Sequence, residues 1–262
     1  MRSIEKTYKI LLLLTLNLAF IPVGAVVSLW PGYGSRMRIR AACMQGWAKI
    51  SCSILGIKVS TSGVPLSQRG ALIVANHCSY IDILVLGSMV PAAFVAKNEI
   101  SSWFPVGLLA RMAGTVFVNR NSRMSAGHSM AEIEQCLSSG TNVILFPEGT
   151  TNNGRDLLDF KSSFFQIPAE NCRQVVPVSI SYVRVNCHRT SLPPEDIIAW
   201  YGDMALLPHV WKLLGTLQIH VHIRGHEPIG RIGHANQPRS RKQIALHAYE
   251  SIKSGCEAMR AA

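Results

Sequence analysis

A histidine and a carboxylate separate two apolar runs in the segment LIVANHCSYIDILVL, residues 72–86. His77 and Asp82 are five residues apart, so within a single helix their side chains would point about 140° apart. If His77 lies in a loop and Asp82 in the first turn of the following helix, the two side chains can meet. The carboxylate would then fix the tautomer of the histidine and stabilise its imidazolium, as a general base requires. The alternative is a buried pair with a purely structural role.

The elements around this pair predict its place in a fold. The run ALIVA, residues 71–75, predicts a buried strand, and His77 then lies at its carboxyl end, where open α/β sheets bind ligands. The second apolar run predicts a helix, with Ser79 as its N-cap and Asp82 near the positive end of the helix dipole.

Further polar residues follow other predicted strands. Lys97 ends FVAKNE, Arg120 ends GTVFVNR, and Glu148 lies in VILFPEGTTNNG, which continues into a glycine-containing turn. Because parallel strands end at one edge of a sheet, these side chains would face the His77 loop. Arginine binds phosphate in a bidentate manner, and the N–H groups of residues 149–150 suit an anion. A solvated arginine, a capping glutamate and a structural turn are the alternatives.

Strand and helix patterns alternate along the chain. The candidate strands are 57–61, 71–75, 92–96, 115–118, 142–146, 175–183 and 217–223, and the candidate helices are 40–56, 82–90, 101–112, 123–139, 161–168 and 240–259. The strands are almost continuously apolar, which is typical of strands buried on both faces. We therefore predict an α/β fold with a mixed or mostly parallel sheet of about seven strands flanked by helices.

The segment Ile10–Trp30 carries no charge over its 21 residues. As a helix it would be about 31 Å long, close to the thickness of the hydrocarbon core of a bilayer. It predicts an N-terminal membrane helix, which Pro22 and Gly24 could kink or make re-entrant. A cleaved signal peptide is the alternative, although its apolar region would be shorter and a clear small-x-small cleavage site is missing.

The positive charge is concentrated near this segment. Residues 1–62 hold eight of the 26 Lys and Arg residues but one of the 15 Asp and Glu residues. This pattern favours anionic lipid head groups as partners, and no motif that reads nucleic acid accompanies it. Seven cysteines without a CxxC pair indicate free thiols in a reducing compartment. The flanking charges favour a cytoplasmic body only slightly.

Four ordered blocks resemble the glycerolipid acyltransferases. NHCSYID matches the N-H-x4-D pattern of that family, GTVFVNR is similar to its second block, FPEGTT to its third and VVPVSI, residues 175–180, to its fourth. The resemblance covers roughly residues 45–225. It implies an anchor over residues 1–40, an α/β acyltransferase domain over 41–228, and a basic loop with a C-terminal helix over 229–262.

The resemblance implies transfer of a fatty acyl group from acyl-CoA or acyl-carrier protein to a lysophospholipid. The leading reaction is acylation of the sn-2 hydroxyl of 1-acyl-glycerol-3-phosphate to phosphatidic acid. His77 would be the general base, oriented by Asp82. The residues expected to bind or shape the acceptor site are Lys97, Phe117, Arg120, Pro147, Glu148, Gly149, Thr150 and Lys161. A thioester is already activated, so neither cofactor nor metal is expected. The expected location is the inner membrane, with the active site on the cytoplasmic face.

One departure bears on the acceptor. The third block of the family often reads FPEGTR, whereas this chain has Thr151, a loss for which Lys161 would compensate. The variant resembles a bacterial subgroup that includes lyso-ornithine lipid acyltransferases, whose acceptor has no glycerol phosphate. That lipid or another lysolipid is therefore the alternative acceptor. A lipid ester or thioester hydrolase is the second alternative.

Three other motifs have weaker chemical interpretations. GHSMA, residues 127–131, approaches the elbow of α/β-hydrolases, with Ser129 as nucleophile, but a helical pattern surrounds it. Cys78 next to His77 could form an acyl-enzyme, although buried cysteine is a common core residue. The strand IHVHIRGH places His220 and His222 on one face with His226 nearby, but a metal site needs a third ligand with clear geometry and an oriented second shell, and a satisfied or exposed strand histidine is the alternative.

Overall fold

The computed structural model describes residues 2–119, 123–186, 193–230 and 238–261. The strands are β1 (Ile57–Gly63), β2 (Leu72–Ala75), β3 (Ala92–Lys97), β4 (Val116–Val118), β5 (Asn142–Leu145), β6 (Val175–Asn186) and β7 (Gln218–Gly225). The α-helices are α1 (Arg2–Ser28), α2 (Tyr33–Leu55), α3 (Ile81–Met89), α4 (Val106–Met112), α5 (Arg123–Ser138), α6 (Gln166–Asn171), α7 (Pro194–Ile198), α8 (Leu206–Leu213) and α9 (Arg241–Ala261). Short 3-10 helices occupy Asn98–Ser102 and Ser162–Phe165.

The described strands form one seven-stranded mixed sheet in the order β1-β7-β6-β2-β5-β3-β4. From β6 to β4, every neighbouring pair is parallel. β7 is antiparallel to β6, and β1 is parallel to β7. This confirms the predicted fold class. The carboxyl ends of β2, β5, β3 and β4 therefore share one edge, at which the candidate polar residues were predicted.

Helices cover both faces of the central strands. One apolar core lies between the sheet and the layer of α2 and α3, and a second lies under α5, α6 and α9. Val74 and Ile144 are fully buried, which explains the continuous apolar runs in the sequence. Because α9 packs on β6, the C-terminal helix belongs to the same folded body.

The helix α1 is the one described helix that is long and apolar enough to cross a membrane. It nevertheless packs against the body along its length. The Lys9 ammonium donates to the carbonyl of Thr216 at 2.6 Å, and the Trp47 indole donates to Asn17 Oδ1 at 3.1 Å. Its other side carries an exposed apolar stripe formed by Ile4, Tyr8, Leu11, Leu14, Leu18, Val26 and Leu29. One face of α1 thus contacts protein, while the opposite face has the character of a lipid-contacting surface.

Several predicted boundaries differ from the structure. The predicted helix over 101–112 is instead a 3-10 helix followed by α4, because Pro105 disfavours helical backbone at the residue before it. The helix predicted from residue 40 begins at Tyr33, so the expected domain boundary at residue 40 falls inside α2. The helices α7 and α8 were not predicted.

Gly56 ends α2 and lets the chain enter β1. Its φ is 71°, in the left-handed region, and its N–H donates to Cys52 and Ser53 carbonyls. A Cβ on this residue would lie 2.4 Å from the carbonyl oxygen of Leu217. Both the turn and the close approach of β7 therefore require glycine.

We predict that Gly56→Ala lowers the melting temperature, because alanine is strained at this φ and its methyl group overlaps the Leu217 carbonyl. The loss should exceed about 1 kcal/mol. Gly46→Ala is the matched control, since Gly46 is exposed within α2 and no atom lies within 4 Å of its added Cβ. That variant should be as stable as the parent or more stable, because alanine is the better helix former. Thermal unfolding followed by circular dichroism in detergent distinguishes the two, and equal effects would contradict the assignment.

Candidate active site

The end of β2 is joined to β6 by a side chain. The Asn76 amide donates to the carbonyl of Ile180 at 3.0 Å, and Asn76 Oδ1 accepts the Ile180 N–H at 2.8 Å. These two bonds extend the pairing between the strands by one position beyond the backbone ladder. These bonds fix the position of Asn76, so the chain leaves the sheet at a defined place, just before His77.

His77 and Asp82 meet as predicted. His77 Nδ1 lies 2.8 Å from Asp82 Oδ2, and since a carboxylate only accepts, Nδ1 carries the proton. This tautomer leaves Nε2 as the nitrogen that can accept a proton, and within the described ranges no hydrogen bond reaches it. The ring stacks on Phe146, with centroids 3.8 Å apart and an interplanar angle of 12°. The carboxylate and the phenyl ring together hold the imidazole in one orientation.

Asp82 also organises the backbone of the loop. Its Oδ2 accepts the N–H groups of Cys78 at 2.8 Å and Ser79 at 2.9 Å. The structure places the N-cap of α3 at Tyr80, one residue after the predicted Ser79, although the Ser79 hydroxyl still accepts the Ile81 N–H at 3.4 Å. Ser79 also contributes its backbone N–H to the Asp82 carboxylate.

Tyr182 supplies the donor to the second oxygen of Asp82. Its hydroxyl, on β6, donates to Asp82 Oδ1, and both residues are buried. Burial, followed by the nearby Asp82 charge, raises the pKa of Tyr182 well above its ordinary value, so the hydroxyl remains a donor. In the sequence, Tyr182 is only one residue of the predicted strand 175–183. A buried tyrosine needs a partner for its hydroxyl, but nothing in the pattern identified Asp82 as that partner.

Glu148 lies beneath the same loop. It is 2% exposed, and its Oε1 accepts the His77 N–H at 2.7 Å. Its Oε2 accepts the Leu158 N–H at 2.9 Å and the amide of Asn152. Burial raises the pKa of Glu148 to about 7, with the Asp82 charge acting in the same direction and these hydrogen bonds opposing it. The geometry thus favours a carboxyl group that holds two loops together over one that contacts an acceptor directly.

The turn after β5 positions Glu148. The Gly149 N–H donates to the carbonyl of Phe146 at 3.0 Å, and Gly149 has a φ of 72°. Pro147 is buried at the second position of this turn, which suits its fixed φ. Thr150, which follows, is exposed. The backbone N–H of Lys161 donates to the carbonyl of Pro147 at 3.0 Å, which brings that exposed lysine back to the turn.

The remaining predicted residues lie farther along the same edge. Lys97 ends β3, is exposed, and lies two strands from β2, or about 10 Å between strand axes. Phe117 lies on β4, one strand farther, with the Arg111 guanidinium 5.7 Å from its ring centroid. Arg120 lies outside the described residues. The parts of the site that converge are therefore the His77 loop and the Glu148 turn, and the roles of the other residues remain predictions.

The rival nucleophiles do not fit. Cys78 is buried, and this burial, followed by the neighbouring Asp82, raises the pKa of its thiol well above the ordinary value, so a reactive thiolate is disfavoured. Ser129 lies within α5, and its hydroxyl donates to the carbonyl of Phe117 at 3.1 Å, so the elbow interpretation is wrong. His222 lies between Ser60 and Ser62, and the described residues contain no cluster suited to a metal.

Comparisons with known proteins agree with this geometry. The Acyltransferase family model matches residues 56–181. The chain is similar to a lyso-ornithine lipid O-acyltransferase of Rhizobium meliloti, with 35% identity over 87% of this chain and 78% of that protein. It is also similar to a 1-acyl-sn-glycerol-3-phosphate acyltransferase of Neisseria gonorrhoeae, with 31% identity over 72% of this chain and 71% of that protein.

A crystal structure shares the fold. The 1-acyl-sn-glycerophosphate acyltransferase PlsC of Thermotoga maritima superposes with a TM-score of 0.68, covering 100% of this chain and 99% of its own, at 23% identity. At this identity the likeness supports the fold alone. The family model and the relatives above 30% identity go further, and by them the chain belongs to the glycerolipid acyltransferase family.

Proposed function

We propose that this protein is a membrane-associated O-acyltransferase that moves a fatty acyl group from an acyl thioester to the hydroxyl of a lysolipid. The observation that carries the proposal is the His77–Asp82 pair, with Nδ1 bonded to the carboxylate at 2.8 Å and Nε2 left as a base. Acyl-CoA and acyl-carrier protein are the proposed donors. The exposed apolar stripe of α1 supports a membrane location, for which we propose the inner membrane and its cytoplasmic face.

The proposed reaction uses His77 as a general base. The lysolipid hydroxyl donates to Nε2 and attacks the thioester carbonyl, so that the C–O bond forms as the proton moves to the imidazole. Asp82 stabilises the resulting imidazolium through Nδ1. When the tetrahedral intermediate collapses, the C–S bond breaks and the imidazolium returns the proton to the departing thiolate. A thioester is activated enough for this sequence to proceed without an enzyme nucleophile.

For the acceptor, we place lyso-ornithine lipid first. The relative from Rhizobium meliloti with that activity in its name is similar over most of both chains, as is one from Pseudomonas aeruginosa at 32% identity. In the loop that follows the Glu148 turn, Thr151 is uncharged. The Arg155 guanidinium in the same loop is bonded to both oxygens of Asp196, at 2.7 and 2.9 Å. A cation engaged in this way is less suited to a phosphate, which favours an acceptor without one.

The second candidate acceptor is 1-acyl-glycerol-3-phosphate, which would yield phosphatidic acid. The Neisseria relative supports it, as does the exposed Lys97 at the same sheet edge. An acceptor panel with purified protein in detergent, using labelled acyl-CoA and labelled acyl-carrier protein, separates the candidates. We expect ornithine lipid to form faster than phosphatidic acid. The reverse order would select the second candidate, and release of free fatty acid alone would indicate a hydrolase.

We predict that His77→Gln lowers the turnover number by about 10²–10⁴-fold, because it removes the group that accepts the hydroxyl proton. Its thermal unfolding should resemble that of the parent, since glutamine preserves a donor toward Asp82. The rate of transfer to the preferred acceptor is the measurement. Near-parental turnover would exclude His77 as the base.

Tyr182→Phe provides the graded comparison, because it keeps His77 and Asp82 and removes the hydrogen bond to Asp82 Oδ1. A hydrogen bond to a charged group contributes about 1.5–3 kcal/mol, so turnover should fall by about tenfold or more. The Michaelis constant for the acceptor should change little, as Tyr182 is a positioning residue buried beneath the site. A loss confined to the Michaelis constant would contradict that role.

Glu148 predicts a pH dependence of stability. Its pKa is raised from 4.5 to about 7, so between these values the folded protein binds more protons than the unfolded chain. This group therefore contributes stability that is fully present below pH 4.5 and is lost as the pH rises through about 7. We expect the melting temperature of the parent minus that of Glu148→Gln to decrease from pH 5 to pH 8, because only the parent loses this contribution. A difference that grows over this range would contradict the raised pKa.

A further inference from the structure

The helix α8 exposes large apolar side chains on its outer side. A surface helix normally buries apolar side chains and exposes polar ones. In α8 the inward face carries His209 and Leu213, which are 5% and 4% exposed, whereas Leu207 and Trp211, each two residues from His209 and on the opposite side, are 80% and 53% exposed. Burial lowers the pKa of His209, so the neutral imidazole suits this interior. The outward apolar face is therefore adapted to something other than water.

This outward face adjoins the membrane helix α1. The Lys6 ammonium lies 4.8 Å from the centroid of the Trp211 ring, and a Cβ on Gly215 would lie 2.8 Å from Lys6 Cε. The bond from Lys9 to the Thr216 carbonyl fixes the same end of α1. The exposed Trp211 and Leu207 therefore lie beside the N-terminal turns of α1, the helix that carries the exposed apolar stripe. A tryptophan beside a lysine is typical of the interface between lipid head groups and hydrocarbon.

The inward face of α8 connects to the candidate active site. The Tyr80 hydroxyl lies 3.1 Å from His209 Nδ1, and Tyr80 immediately precedes α3, which carries Asp82. The backbone N–H of Trp200 donates to the carbonyl of Cys78, next to His77, at 2.8 Å. The segment 200–211 therefore presents Leu207 and Trp211 outward. On its inner side, Trp200 and His209 bond to Cys78 and Tyr80, next to His77.

We propose that α8 is a second membrane contact, which inserts Leu207 and Trp211 into the bilayer surface and seats the His77 loop where the lysolipid leaves the lipid layer. The occupant of this face is the bilayer, because the exposed Leu207 and Trp211 lie beside the N-terminal turns of α1, where the Lys6 ammonium supplies the positive charge that suits anionic head groups. The inference rests on the proposed function, since it assigns the route by which that acceptor arrives.

The test compares Leu207→Glu and Trp211→Glu with Leu246→Glu in the full-length protein. Leu246 is 54% exposed on α9, which covers the other face of the sheet, and is the matched control. Each variant is assayed with an acceptor in vesicles of phosphatidylglycerol and phosphatidylcholine, and with a short-chain acceptor below its micellar concentration. Each α8 variant places a charge where an apolar side chain would enter the bilayer, so each should lose about tenfold or more of the vesicle rate. Both α8 variants should keep the rate with the short-chain acceptor, and Leu246→Glu should keep both rates.

A second measurement does not depend on turnover. Quenching of tryptophan fluorescence by vesicles containing brominated phosphatidylcholine should be weaker in Trp211→Phe than in the parent, because the quenched ring is missing. Equal vesicle rates in all variants, or unchanged quenching, would overturn the proposal. So would self-association of the parent that Leu207→Glu abolishes in sedimentation experiments, which would assign the face to a second copy of the chain. Inactivity of the parent with both acceptors would count against the proposed function instead.

Discussion

The buried carboxylate of Asp82 is the interaction on which the candidate site depends. It lies in the first turn of α3, is 1% exposed, and accepts hydrogen bonds from both sides of the junction. Its donors are the His77 ring, the backbone of Cys78 and Ser79, and the Tyr182 hydroxyl. An isolated buried charge is costly, so these donors are required for folding as much as for chemistry. The same bonds set the histidine tautomer, and the base is thereby oriented by an interaction that the fold needs in any case.

The mixed sheet explains how donors from distant parts of the chain reach this carboxylate. Because β6 is parallel to β2, it passes Asn76 at Ile180 and then places Tyr182 beside α3. Because β5 is the other neighbour of β2, its carboxyl end places Glu148 under the backbone of His77. The His77 loop is thus held between two strands that are adjacent in space and far apart in sequence. A loop held on both sides loses little further freedom when substrate binds, which is the structural meaning of preorganisation.

The sequence predicted the parts of this arrangement that have local signals. The seven strands follow from apolar runs, and the His77–Asp82 contact follows from a spacing that a loop and a first helical turn can close. Tyr182 and the bonds of Glu148 could not be predicted in this way, because each pairing depends on strand order across the sheet. The helix α8 escaped prediction for another reason. It is only eight residues long and contains Pro208, so it offers too few positions for a periodic pattern to be recognised.

Two buried carboxyl groups beneath one loop would repel each other if both were charged, and their surroundings resolve this conflict. Asp82 accepts the protonated ring nitrogen of His77 and a tyrosine hydroxyl, so its environment matches a negative charge that must balance an imidazolium. Glu148 receives amide donors alone, and its burial, together with the charge of Asp82, raises its pKa to about 7. Near neutral pH, the second carboxyl group therefore holds its proton for much of the time, which limits the negative charge under the loop. The environments thus separate the two carboxyl groups by role, with Asp82 serving the charge on His77 and Glu148 serving the position of its backbone.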